Sequence, residues 1–204
     1  MNAQLSKLIT AESLLAVAQK KNYTFKQGLY YLNPFGVRSK NQATNTFDDF
    51  IGALFLNENN QWEIMKNAGT TDPGAFWLKN PMKVEGTAIM VPGHHVDVYA
   101  QGKHKGEYDA LVQIAPIPFY RDNDKDGNFD FDASRIYKEI IGANIHRASA
   151  EHTSVQVDKW SAACQVMASP IDYAAWMVLV MKHLDVYPNK FSYTLLEEKD
   201  FTSL

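Results

Sequence analysis

Cys164 is the only cysteine of the chain, and it stands in KWSAACQVM, residues 159–167, behind a serine and two alanines. A cysteine acts as a nucleophile through its thiolate, and a neighbouring imidazole is the usual way to generate one near neutral pH. His146, in GANIHRAS, offers that imidazole, with fourteen residues between it and Ser161. GANIHRA reads as a strand, SAEHTSVQVDK as a loop, and SAAC as a tight turn. A strand end, a returning loop and a small-residue turn can bring thiol and imidazole together and leave the turn's N–H groups to an oxyanion. The bland reading of the same residues is a thiol that fills a core as a small hydrophobe.

His146, this spacer and Ser161-Ala162-Ala163-Cys164 resemble the signature of the L,D-transpeptidase (YkuD-type) catalytic domain. That signature runs from a strand-borne His through a comparable spacer to Ser or Thr, a variable residue, Gly and the nucleophilic Cys. The specific likeness covers residues 142–166, and GTTDPG, NIHR and WSAACQV together are also similar to phage-type proteins suspected of attacking cell walls. The resemblance implies an α+β fold whose β-rich catalytic core carries N-terminal helices and a C-terminal helix. It implies acyl transfer on a peptidoglycan stem peptide, with no cofactor required. Cys164 would attack a carbonyl at the L-centre of a diamino acid, and His146 would act first as base and then as acid. The backbone carbonyl of Arg147 would orient the ring, the amides around Ala163 and Cys164 would form an oxyanion hole beside Ser161, and Trp160 would wall the site.

The sequence departs from the family at four positions. Ala163 stands for the Gly before the nucleophile and would be strained if that position required a positive φ. Gln165 and Val166 follow the Cys where an aliphatic residue and then Arg or Asn are usual, and Arg147 follows the His. Arg147 is therefore the substitute candidate for binding a substrate carboxylate, with Arg38 second. Hydrolysis, as by a phage-type endolysin, is the expected outcome over cross-linking. The other reading is a non-catalytic binding or virion-type structural protein.

Further candidates lie outside this pair. In DNDKDGNFDFD, residues Asp122, Asp124, Asp126 and Gly127 open like a calcium loop, with Asn128 and Asp130 at later ligand positions. The twelfth position, a bidentate Glu in an EF-hand, is Ala133, and FYRD ahead of the run reads as strand rather than helix. The run is either a hairpin with solvated carboxylates or a structural calcium loop of another kind. His94, His95, His104 and Asp109 form the zinc alternative, weakened because strand neighbours point to opposite faces. His95 or His104 could instead line the cleft. In NAGTTDPGAFWLKNP, Thr71 and Asp72 suit local capping, while Phe76 and Trp77 could form a platform or anchor the loop.

Several elements must position these residues. Thr10 caps a helix over 11–20, and TFDDFIGALF, with Thr46 as cap and an apolar stripe of Phe47, Phe50, Ile51, Leu54 and Phe55, predicts a second. Residues 1–60 are thus expected as a helical portion packed on a β-rich catalytic domain over 61–204. Short strands are expected at 61–65, 84–91, 96–99 and 110–120, with Pro116 and Pro118 bending the last or placing it at an edge. Ser169 and Pro170 start a helix to about Leu184, with Asp172 completing a capping box and His183 at its solvated end. KFSYTLLEE adds a final strand.

With 204 residues, 46% hydrophobic and 21% charged, the chain suits one compact unit. A net charge of −3 offers no field for nucleic acid, and a lone cysteine excludes an intrachain disulfide. No apolar run is long enough to span a bilayer, and the N-terminus lacks the pattern of a cleaved signal. The expectation is synthesis in the cytoplasm and action on the wall after release or delivery, with the oligomeric state left open.

Overall fold

The computed structural model describes residues 2–41 and 43–203. Helices α1 (Ala3–Leu8) and α2 (Ala11–Lys20) are followed by strands β1 (Asn33–Arg38), β2 (Asp49–Leu56) and β3 (Trp62–Thr70). A short helix α3 (Ala75–Lys79) leads to β4 (Thr87–Met90), β5 (Gly93–His104), β6 (Tyr108–Gln113), β7 (Ile117–Asp122) and β8 (Tyr137–Glu139). The rest comprises β9 (Ile145–Arg147), β10 (Gln165–Met167), α4 (Pro170–Leu184), β11 (Phe191–Glu197) and α5 (Glu198–Thr202). The fold is mixed α and β and mostly sheet.

Eight strands close a barrel in the order β1-β11-β5-β6-β9-β10-β3-β2, with β2 pairing back to β1. The pairs β1–β11 and β9–β10 are parallel and the other barrel pairs antiparallel. Strands β4, β7 and β8 form a separate three-stranded sheet. The run expected over 110–120 splits at Pro116: β6 stays in the barrel and β7 enters the small sheet.

The helix expected from TFDDFIGALF is a strand. Residues 49–56 of β2 are buried on both faces. Phe50 and Leu54 join a cluster with Leu5, Leu14 and Val17 of the N-terminal helices, while Ile51, Ala53 and Phe55 face the main core with α4. A strand covered on both sides is apolar throughout, so its i, i+4 pairs imitate a helical stripe. Thr46 is no cap; its hydroxyl donates to the Ala43 carbonyl. The helical N-terminal portion therefore ends at Lys20, and residues 33–56 are barrel wall rather than something packed upon it.

Thr10 caps α2 as expected, through a box closed by Ser13. Ser169 caps α4 by accepting the Asp172 N–H, with Pro170 at the first turn. His183 is buried, not solvated: its Nδ1 accepts the Leu32 N–H at 3.1 Å, and its ring packs 4.4 Å from Phe191. Apolar neighbours and one missing hydrogen-bond donor, supplied from β1's approach, outweigh the charge preference of a helix end.

Backbones approach closely between β2 and β3. A Cβ on Gly52 would sit 2.0 Å from the Met65 carbonyl oxygen and 2.8 Å from Phe35 Cζ. Gly52→Ala is therefore expected to lower stability by about 3 kcal/mol, read from urea unfolding followed by circular dichroism.

Candidate active site

The parallel register of β9 and β10 assembles the site. Gln165 lies opposite Ile145 and Val166 opposite His146, and the Gln165 N–H donates to the Asn144 carbonyl at 2.9 Å. Cys164, one residue before β10, consequently stands beside Asn144, one residue before β9. Side chains alternate along a strand. Ile145 enters the main core, and His146 turns to the opposite face, where it lines a cleft of about 680 Å³ together with Cys164.

The loop over 148–164 is held at several points. Asn45 Oδ1 accepts the Asp158 N–H, and Asn45 Nδ2 donates to Asp158 Oδ1. Gly74 donates its N–H to the Ser161 carbonyl and lies so close to Asp158 that a Cβ would fall 2.1 Å from its carbonyl oxygen. The second glycine of GTTDPG, Gly74, is thus required by close approach. Ser161 is fully buried, and its hydroxyl donates to the Cys164 carbonyl at 2.8 Å, closing the SAAC turn. It does not line the cleft.

His146 Nδ1 lies 2.7 Å from the Arg147 carbonyl oxygen and 3.1 Å from the Tyr108 hydroxyl, which itself donates to that carbonyl at 3.2 Å. The pattern assigns the proton to Nδ1 and leaves Nε2 as the acceptor. Nε2 is buried without a hydrogen-bond partner among the described residues. The backbone carbonyl of Arg147 holds the ring, as expected of that position. The turn between β5 and β6, with Lys105 and Gly106 at φ 51° and 77°, sets His104 opposite Tyr108. His104 stacks on His146 with centroids 3.9 Å apart, and its Nδ1 faces Asn144 Nδ2 at 3.1 Å.

Burial, reinforced by His104, pulls the His146 imidazole down to about 3. Burial pushes the Cys164 thiol up to about 11, against the lowering effects of the Asn144 N–H and Lys105. The thiol donates to the Gly142 carbonyl at 3.5 Å. At neutral pH the resting pair is thiol and neutral imidazole, not thiolate and imidazolium.

Ala163 lines the cleft and is not among the described residues with a left-handed backbone, so its methyl group brings no backbone strain. Trp160 stands on the rim, 43% exposed, and Trp77 lines the wall with its indole N–H donating to the Lys159 carbonyl. Gln165 is buried: its Oε1 accepts the Tyr193 hydroxyl at 2.7 Å.

The two arginine candidates lie elsewhere. The Arg147 guanidinium rests on the Tyr108 ring at 4.1 Å and does not line the cleft. Arg38 is buried against Asp72 at 2.7 Å beneath a different cavity. Strand alternation accounts for Arg147, which faces away from His146. The cleft's cations are Lys83, Lys105, Arg121 and Lys159, with no Asp or Glu lining it among the described residues. Of these, Lys83 and Arg121 both bind Glu139, at 2.8 and 2.9 Å.

The zinc candidates do not converge. His94 contacts Thr194 Oγ1, His95 contacts the Val91 carbonyl, and only His104 lines the cleft. Asp109 pairs with Lys103. Thr71 and Asp72 are buried, with Thr71 bound to Asp49 and Asp72 to Arg38. Among the described residues, the one cluster fit for an ion is Asp122, Asp124 and Asp130. Asp126 falls outside it, and both its oxygens accept from Asn128.

Sequence reasoning missed Tyr108, Asn144 and Lys105. Their signal was the KG turn, which pairs His104 with Tyr108 if both flanks are strand, whereas GKHKGE reads as a connector. Comparison with protein-family models, curated proteins and solved structures finds no match.

Iodoacetamide should alkylate Cys164 at a rate that climbs about tenfold per pH unit and does not level off below pH about 9, because thiolate forms only as the high pKa is approached. A plateau near neutral pH, seen by mass spectrometry, would contradict the neutral pair. Ser161→Ala should cost about 1 kcal/mol of stability and speed alkylation by loosening the turn, both measurable on one preparation.

Proposed function

We propose that the chain is a cysteine-dependent acyl-transfer enzyme acting on peptidoglycan stem peptides, hydrolytic in its principal reaction. One observation carries this reading: His146, held at Nδ1 by the Arg147 carbonyl and with no hydrogen-bond partner at its buried Nε2, lines the same cleft as Cys164.

In the proposed reaction Cys164 Sγ attacks the carbonyl carbon at the L-centre of the diamino acid as its proton passes to His146 Nε2. Transfer during attack suits a pair that rests neutral. The imidazolium so formed donates more strongly through Nδ1 to the Arg147 carbonyl, a neutral counterpart of the carboxylate found in many triads. The amides of Ala163 and Cys164 receive the oxyanion. Collapse breaks the amide bond, His146 returns the proton to the departing amine, and a thioester remains. Water then adds to the thioester with His146 again as base, releasing the free carboxylic acid and the thiol. Transfer to a second amine shares every step up to the thioester. Water needs no acceptor site of its own, which places hydrolysis first.

Stem peptides carry free carboxylates, and Lys105 and Lys159 on the cleft suit such a ligand, taking the role first given to Arg147. The protein would reach its substrate by release or delivery to the wall, as a phage-type lysin does. A non-catalytic wall-binding protein is the second reading. It is favoured by the thiol's hydrogen bond to the Gly142 carbonyl, which holds Sγ in its protonated form.

Purified muropeptides incubated with the protein and read by mass spectrometry should lose a terminal residue or a cross-link. Cys164→Ser and His146→Ala should each reduce that rate by about a thousandfold. A new cross-link would assign transpeptidation, and unchanged muropeptides would favour the binding reading.

A further inference from the structure

The acidic loop after β7 combines three features that bear on a cation. One carboxylate oxygen from each of Asp122, Asp124 and Asp130 lies within 4.8 Å of the others. Asp122, the last residue of β7, is 1% exposed, so its carboxyl has left water. Its Oδ2 accepts the Asp130 N–H at 3.1 Å, but its buried Oδ1 has no donor. A buried acceptor without a partner is costly, and three carboxylates converging without a counterion compound the cost. A cation would relieve both.

We propose that Asp122, Asp124 and Asp130 bind one calcium ion. Only oxygen ligands converge here, which suits a hard cation over zinc. Two of the three side chains are on an exposed turn, and calcium tolerates such irregular, partly hydrated coordination better than the octahedral demand of magnesium. The chain reverses through Lys125 and Gly127, at φ 64° and 90°, which returns Asp130 to the end of β7.

The ion would act on the wall of the cleft. Asp122 pairs with Thr87 across β4 and β7, and its neighbour Arg121 donates to the Gly86 carbonyl at 3.1 Å. Thr87, Gly86 and Arg121 all line the cleft. Fixing Asp122 therefore fixes the strand ends that face Cys164 and His146. This inference concerns the loop alone and stands whether or not the cysteine is catalytic.

The test is calcium chloride titrated into chelator-treated full-length protein, followed by calorimetry and thermal melting, with magnesium chloride in parallel. One site is expected, with a melting point raised by roughly 5–10 °C at about a hundredfold excess over Kd. Calcium should slow tryptic cleavage after Lys125 at least tenfold. Asp124→Asn and Asp130→Asn, both at exposed positions, should fold as the wild type does, judged by circular dichroism, and bind calcium at least tenfold more weakly. Absence of heat and of a melting shift at about 10 mM calcium would overturn the proposal, since even weak extracellular sites fill near roughly 1 mM. Unchanged binding in both variants would overturn it equally, and an equal response to magnesium would overturn the choice of ion.

Discussion

Two three-residue strands running the same way hold the whole candidate site together. Because β9 and β10 are parallel, the residues that precede them, Asn144 and Cys164, meet at the same end of the ladder, and His146, two residues after Asn144, lines the same cleft as the thiol. An antiparallel pairing would send the thiol to the far end of the imidazole's strand. Parallel neighbours require a long crossover. Here it carries no helix and is fixed instead by Asn45, by the close approach of Gly74, and by the small apolar cluster of Phe47, Ala148, Val157, Val166 and Ala168. Asn45, Phe47 and Gly74, remote from the thiol in sequence, thus help to fix where it stands.

The electrostatics of the pair follow from the same burial. A stacked imidazole, an aromatic hydroxyl and a backbone carbonyl surround His146, and none of them carries a formal negative charge. Charge on either partner is therefore disfavoured, which separates this arrangement from cysteine sites that store a thiolate. Of the positive side chains on the cleft, Lys105 bears on both the thiol and His146, drawing the thiol down against the effect of burial.

Much of this was legible in the residues, and the failures have physical causes. The caps of α2 and α4 are local chemistry and are found where Thr10 and Ser169 predict them. His146 and Cys164 share a cleft as their spacing suggests, and the Arg147 carbonyl orients the ring. The Arg147 side chain was misjudged because proximity in sequence to a strand-borne His places the next residue on the other face. TFDDFIGALF was misread because a doubly covered strand and a buried helix share one composition, and what covers β2 is two helices and α4 from distant parts of the chain. Asp126 fits a ligand spacing, but its carboxylate accepts from Asn128, which no spacing rule records. His183 was assigned to solvent by its place on a helix, while tertiary packing encloses it.

The cleft has walls of different origin. Cys164, His146, His104 and the SAAC turn are attached to a closed barrel, whereas Thr87, Ala88 and Arg121 belong to a small sheet with its own ladder. No strand pairing joins the two sheets among the described residues. Such a division lets the two faces diverge at different rates over evolutionary time. Substitutions in the small sheet can alter the shape of one wall while the barrel preserves the placement of the thiol and imidazole, and the barrel can be stabilised without redrawing that wall. The chain thus has the makings of a scaffold that diversifies by exchanging one wall.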